Sequence, residues 1–189
     1  MTEPEAGQSP LAHRAAELAA AGGEAVAVRE VPFLAQVGVR LFPGAGGPSA
    51  AEAALGFALP FVPNTTAEAG GRTALWLGPD EWLVIGAPGT GAAIELELAE
   101  ALAGGLGSVV DLSANRTALE LRGPAARDVL AQGCALDLHP RAFGPGRCAQ
   151  TLLARAQVIL YRTHEHTFRL LVRPSFADYL RAWLRDAMA

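Results

Sequence analysis

The chain has no lysine. Its 189 residues carry 15 arginines against 19 acidic residues, so every permanent cation is a guanidinium. That excludes lysine-rich runs along a nucleic-acid backbone, and the net charge of −4 argues the same way. Aromatic residues make up only 6%, and they do not interleave with arginine as stacking on bases would require. Two cysteines, Cys134 and Cys148, are too few for a disulfide framework or a zinc cluster. No apolar run reaches the 18 residues that a membrane-spanning helix needs. The opening Met1-Thr-Glu-Pro-Glu5 is acidic and lacks the basic and apolar regions of a secretory signal. Together these absences read as a cytoplasmic protein with reduced thiols, binding neither nucleic acid nor membrane.

What the chain does have is small and apolar. Hydrophobic residues reach 51%, with 39 alanines, 21 glycines and 13 prolines. Alanine supplies little bulk, so the core must rest on leucine and valine. Charge is unevenly spread: residues 1–110 hold 4 Arg against 12 acids, and residues 111–189 hold 11 Arg against 7. A basic half on an acidic chain points to one face meeting a partner of opposite sign.

Residues 1–10 read as a flexible N-terminus and 11–189 as a single domain. An alanine-rich helix covers 11–21, and strands cover 25–31 and 33–42. Pro48-Ser-Ala-Ala-Glu52 has the form of a capping box opening a helix to about residue 59. Residues 60–71 read as a loop. A hairpin follows over 73–85 with its turn at Gly78-Pro79-Asp80. A helix over 92–103 ends at Gly104-Gly105, and 108–112 is a further strand. The order then restarts: a half-buried strand from Thr117, a helix after Gly123-Pro124 to about 132, a loop over 138–146, and three strands between 151 and 172. In the last helix Phe176, Tyr179, Leu180, Trp183, Leu184 and Ala187 form one apolar stripe, with Ser175 and Asp178 capping its start. The halves therefore read as two βαββα pseudo-repeats, about 25–112 and 113–188. Two such split βαβ units sharing an antiparallel or mixed sheet give an α+β fold with helices on one side.

Catalytic patterns are hard to find. His164 and His166 form an H-x-H in a polar turn without further ligands at matching spacing, which reads as a solvated hairpin tip. His139 sits in a loop that its glycines and prolines explain. Gly44-Ala-Gly46-Gly47 and Pro88-Gly89-Thr90-Gly91 lack dinucleotide-binding spacing and read as turns, with a backbone anion nest as the alternative. No G-x-S-x-G occurs. Cys134 has no neighbouring histidine and reads as an inert thiol.

Five segments carry a resemblance: Ser9-Pro-Leu-Ala12, Leu77-Gly-Pro-Asp-Glu-Trp-Leu83, Asp111-Leu-Ser-Ala-Asn-Arg-Thr117, Leu138-His-Pro-Arg-Ala-Phe143 and the run from Thr167 to Tyr179. In this order, over residues 9–185, the chain resembles the gamma subunits of heterotetrameric sarcosine oxidases. The family also includes gamma-like subunits of related dehydrogenases, such as N-methylglutamate dehydrogenase. The resemblance implies a fold similar to the tetrahydrofolate-binding aminomethyltransferase domain. It implies alpha, beta and delta subunits as partners, the alpha subunit most directly. FAD, FMN, NAD and zinc are then expected in those partners, and no catalytic residue, cofactor or metal in this chain. The role implied is a non-catalytic structural subunit supporting oxidative demethylation of sarcosine to glycine. Arginine suits such a role, because its planar fork pairs carboxylates and stacks on aromatics. Arg141, Phe143, Arg147, Arg155 and Arg173 are accordingly the expected partner-facing residues, with Phe143 as the anchor.

Two other readings compete. Gln132-Gly-Cys134 loosely resembles a Lys-Gly-Cys segment of stand-alone folate-binding proteins, but the lysine is missing and Ala135-Leu-Asp137 follows. A nucleic-acid module using the arginine-rich half is opposed by the net charge.

Overall fold

In the computed structural model the described residues are 7–20, 22–42 and 46–189. A 3-10 turn (Ala12–Arg14) leads into α1 (Ala15–Ala20), β1 (Ala27–Val31), β2 (Ala35–Leu41), α2 (Gly47–Leu55) and β3 (Thr66–Ala69). Then come β4 (Arg72–Gly78), β5 (Glu81–Gly86), α3 (Gly91–Ala101), β6 (Gly107–Asp111), β7 (Thr117–Arg122) and α4 (Ala126–Ala131). The chain closes with β8 (Cys148–Leu153), β9 (Ala156–His164), β10 (Thr167–Val172) and α5 (Pro174–Ala187).

The strands form two antiparallel five-stranded sheets, ordered β1-β7-β10-β9-β8 and β3-β4-β5-β2-β6. The α+β class holds, but the halves do not share one sheet. The reason lies in strands that are apolar on both faces. In β7 Leu119 and Leu121 pack under the helices with Val129, Leu130, Leu180 and Leu184. Ala118, on the other face, meets Leu75, Leu83 and Ile85 of the second sheet. In β5 Trp82 and Val84 turn the opposite way, toward Ala51, Leu55, Ile94 and Leu98 of α2 and α3. A strand buried on both faces needs a layer on each side. The result is four layers, helices–sheet–sheet–helices, with the third core between the sheets. The half-buried reading of β7 is corrected accordingly: Thr117 to Leu121 are all buried.

The chain crosses between the sheets twice. β1 lies beside β7 in the first sheet although β2, which follows it, is in the second. Likewise β6 pairs with β2, while β7, which follows it, returns to the first sheet. Each sheet thus has the same plan: a three-stranded meander, then the strand that begins the helix crossover, then an edge strand that directly precedes, along the chain, the crossover strand of the other sheet.

Several local expectations change. Residues 60–71 contain β3, whose Thr66-Ala-Glu-Ala69 has too little apolar bulk to stand out. Gly46, at φ +77°, precedes α2, and Glu52 accepts the Leu59 N–H at 2.9 Å, so Ser49 and Glu52 form no capping box. At α5 the extended Arg173 precedes Pro174, and Asp178 binds Arg181 rather than the helix start. Of the expected flexible N-terminus, residues 1–6 lie outside the described residues, while the Ser9 hydroxyl donates to Glu30 at 2.6 Å. Ala21, at the end of the expected first helix, and Gly44 and Ala45 of the glycine-rich turn, are also outside the described residues.

Candidate functional site

The five expected partner-facing residues do not form one surface. Arg147 immediately precedes β8, and its N–H donates to the Gly144 carbonyl in the 138–146 loop that also holds Arg141 and Phe143. Arg155 sits in the β8–β9 turn and Arg173 directly after β10. The two groups therefore occupy opposite ends of the first sheet, about 20 Å apart for six-residue strands.

Phe143 is not an outward anchor. It is 5% exposed and belongs to the core beneath α4 and α5. Its backbone is held as firmly: the Phe143 N–H donates to the His139 carbonyl, and its own carbonyl accepts the Arg162 guanidinium at 2.7 Å. Arg162 is buried, lies 5.2 Å from the centre of the Phe168 ring and also donates to the His164 and Glu165 carbonyls. It fastens the 138–146 loop to the β9–β10 turn using carbonyl acceptors alone. Burial pushes its guanidinium below the ordinary value. His164 and His166 are exposed in that turn, with Glu165 between them. His139 is exposed, and its Nδ1 accepts the Arg141 N–H at 3.3 Å, a loop-shaping bond.

The buried carboxylate of Glu120 is structural as well. Glu120, on the inter-sheet face of β7, accepts from Arg29 at 2.7 Å and 2.9 Å and from Arg169 at 3.0 Å. Arg169 also donates to the Tyr161 hydroxyl at 3.2 Å. Burial pushes the Glu120 carboxyl up, but the hydrogen bonds and charges of the two arginines outweigh it and leave it below the ordinary glutamate value. The hydrogen bonds are satisfied within the chain.

Neither cysteine lies at the surface. Both are free and buried. The Cys148 thiol faces the Thr65 and Trp76 carbonyls at 3.3 Å and 3.4 Å, and burial pushes its pKa up to about 11. Cys134 bridges to Leu153, while Gly133 is pressed against the Trp183 indole, where an added Cβ would come within 2.5 Å. Among the described residues, no three of His, Cys, Asp and Glu stand close enough to hold a metal ion, and no helix is long and apolar enough to cross a membrane.

Among the described residues, Arg155 and Arg173 at one end of the first sheet have no carboxylate within 4.0 Å, and neither do Arg122, Arg141 and Arg147 at the other. Comparison with known proteins gives these surfaces a context. The family model described as "Sarcosine oxidase, gamma subunit family" matches residues 44–189. The chain belongs to that family. It is 48% identical over 183 residues to the sarcosine oxidase subunit gamma of Arthrobacter sp., covering 96% of this chain and 89% of the relative. The corresponding subunit of Corynebacterium sp. strain U-96 is 46% identical over 186 residues, covering 96% and 90%. Among solved structures, a chain of the heterotetrameric sarcosine oxidase from Corynebacterium sp. U-96, in complex with pyrrole 2-carboxylate, superposes with a TM-score of 0.89. That chain is 45% identical, with 96% of this chain and 94% of that one covered. The glycine cleavage system aminomethyltransferase T from Bartonella henselae is 16% identical with a TM-score of 0.65, covering 89% of this chain and 47% of that one. This likeness is one of fold, and it agrees with the aminomethyltransferase-like architecture expected of the family. The identities name sarcosine oxidase and do not favour the N-methylglutamate dehydrogenase or folate-binding alternatives.

Sequence reasoning missed Arg116. It lies two residues beyond Ala114 in the β6–β7 link, and only the strand register brings it beside Arg173. The signal available was a cation directly flanking each of two strands, Arg116 before Thr117 and Arg173 after Val172.

Proposed function

We propose that this gamma-family chain works as a non-catalytic structural subunit of a heterotetrameric sarcosine oxidase. In this reading the complex oxidises the N-methyl C–N bond of sarcosine, and this chain supplies shape and charge to its partners. The redox cofactors, FAD, FMN and NAD, and the zinc belong to the alpha, beta and delta subunits. The observation that carries this reading is the disposition of the charged groups. The acids and bases inside the molecule are tied to one another or to carbonyls, whereas a group of arginines with no acid partner faces outward.

The alpha subunit is the proposed neighbour of the basic half. Arg155 and Arg173 would meet it from one end of the first sheet, with Arg141 and Arg147 forming a separate contact at the other end. Buried, unpaired thiols suit a cytoplasmic complex. The sheet plan further supports a duplication, with the repeat boundary just ahead of β6 because β6 relates to β7 as β1 relates to β2.

Co-expression with the other three subunits tests the role. Sarcosine-dependent turnover should appear in the co-purified complex and be absent from this chain alone. Turnover by the isolated chain, or failure of the folded chain to co-purify with flavin-bearing subunits, would overturn the reading.

A further inference from the structure

Arg116 and Arg173 share a single feature. A cleft of about 310 Å³ opens at the end of the first sheet, lined by Arg116, Arg173, Gln157 and the β8 residues Gln150, Thr151 and Leu152. The strand registers explain the convergence. β10 and β7 pair as far as Val172 and Thr117, so Arg173 and Arg116 leave the sheet side by side. β8 and β9 pair Leu152 with Gln157, and Val158 pairs with Val172, so the β8–β9 turn with Arg155 reaches the same end.

Two like charges have been placed together here without an ion-paired carboxylate. Among the described residues no carboxylate comes within 4.0 Å of Arg116, Arg155 or Arg173. Burial first, and then the charge of Arg173, push the Arg116 guanidinium below its ordinary value, with Glu81 acting against them. Glu81 is itself engaged by Arg40 at 2.9 Å. Arg173 stands at the start of the 14-residue α5, where the positive end of the helix dipole disfavours a cation and favours an anion. Each of these costs is relieved by a carboxylate seated between the two guanidiniums.

Leu152, in the cleft lining, is 53% exposed, and two aromatic side chains of α5 form a rim at the same sheet end, Phe176 42% and Tyr179 38% exposed. Phe176 and Tyr179 stack edge to face, and the Tyr179 hydroxyl accepts the Arg155 N–H at 3.3 Å, fixing the rim to the β8–β9 turn. Phe33, exposed at the end of β1, adopts φ +60°, a conformation rarely held by a bulky side chain. Since Val31 pairs with Ala118, this turn leaves the sheet at the same end as Arg116. Arginine beside exposed aromatic and aliphatic side chains is the composition of an interface centre.

We infer that this end of the first sheet is a docking socket, in which Arg116 and Arg173 receive an acidic side chain of a partner subunit and Leu152, Phe176 and Tyr179 pack around it. The inference rests on the gamma-subunit reading above and locates its principal contact. A glutamate or aspartate beside an apolar residue is the matching chemistry, because each guanidinium fork donates to a carboxylate in two places while the rim excludes water from it.

The test uses the co-expressed complex with a tag on a partner subunit. The amount of this chain retained is titrated for the wild type and variants, and the fold of each variant is checked by circular dichroism. The Arg116→Glu/Arg173→Glu pair should weaken retention by at least about 100-fold, and Leu152→Asp by about tenfold or more. Arg127→Glu, on the outer helix α4, should stay within about threefold. Should the glutamate pair not fold, Arg116→Met/Arg173→Met keeps the apolar stems and should still weaken retention by about tenfold or more. Folded glutamate or methionine pairs that assemble like the wild type would overturn the socket while leaving the gamma-subunit role standing. A wild-type chain that fails to co-purify would remove that role itself. Malonate is the small-carboxylate probe: if it raises the melting temperature of the wild-type chain but not of the arginine variants, and those variants still assemble, the cleft binds free anions and the docking inference falls.

Discussion

Truncating Phe143 to alanine separates a core residue from an interface anchor. The side chain is 5% exposed and packs in the core formed by α4, α5 and the first sheet. Removing a buried phenylalanine costs about 3–5 kcal/mol through lost transfer energy and the cavity left behind. The lower end applies, because Arg162 still grips the residue-143 carbonyl and keeps the loop in place. For a chain of this length about 3 kcal/mol lowers the melting temperature by about 6–12 °C. Differential scanning calorimetry of the isolated chain reads that shift directly, and co-purification at low temperature reads assembly. The structure predicts a large loss of melting temperature with assembly intact below the transition. An unchanged melting temperature together with lost assembly would refute the placement of this ring and restore it as a partner contact.

Glu120→Gln should cost about 2–3 kcal/mol, discounted from a fully buried pair because Arg29 is largely exposed, and urea unfolding at pH 7 measures it. Since the native Glu120 carboxyl lies below its ordinary value, its contribution is present above about pH 4.3 and lost as pH falls through the native pKa. The variant should therefore show a flatter acid limb in its stability profile, and an identical limb would contradict the ion-pair account. Cys134 and Cys148 should resist iodoacetamide at pH 8 in the native chain and react stoichiometrically in denaturant. Rapid native labelling of Cys148 would contradict a thiol held near pKa 11 between two carbonyls. The chain without its partners should self-associate in size-exclusion chromatography through its exposed aromatic rim, and a stable monomer across concentrations would count against an obligate assembly role.

Legibility of the fold varied with the range of the interaction. The β4–β5 hairpin and α3, with its terminating glycines, are written in a few adjacent residues, and both appear where expected. The helix α5 shows the limit of such reading. Its buried residues are Ala177, Leu180, Arg181 and Leu184, so the inward face is turned from the apolar stripe and Phe176 and Tyr179 stay outside. The cause is distant in sequence: Arg181 is buried because Glu17 of α1 reaches it at 2.9 Å, alongside Asp178 of its own helix. A periodicity count assigns an arginine to solvent and cannot register a carboxylate 164 positions away. The partner of β1 is hidden for the same reason, since alternation gives a strand its faces but not its neighbour. The candidate site was half visible. Arg155 and Arg173 stood out as cations in a basic half, whereas Arg116 and the aromatic rim gain meaning only from the register that places them at one sheet end.

The central claim is that redox chemistry resides in other polypeptides and that this chain contributes its exterior. Its most direct test is the visible absorption spectrum of the purified chain, taken alone and after assembly with the other three subunits. The account predicts no absorption near 450 nm from the chain alone and a flavin spectrum from the complex. Stoichiometric flavin absorption from the chain by itself would contradict it.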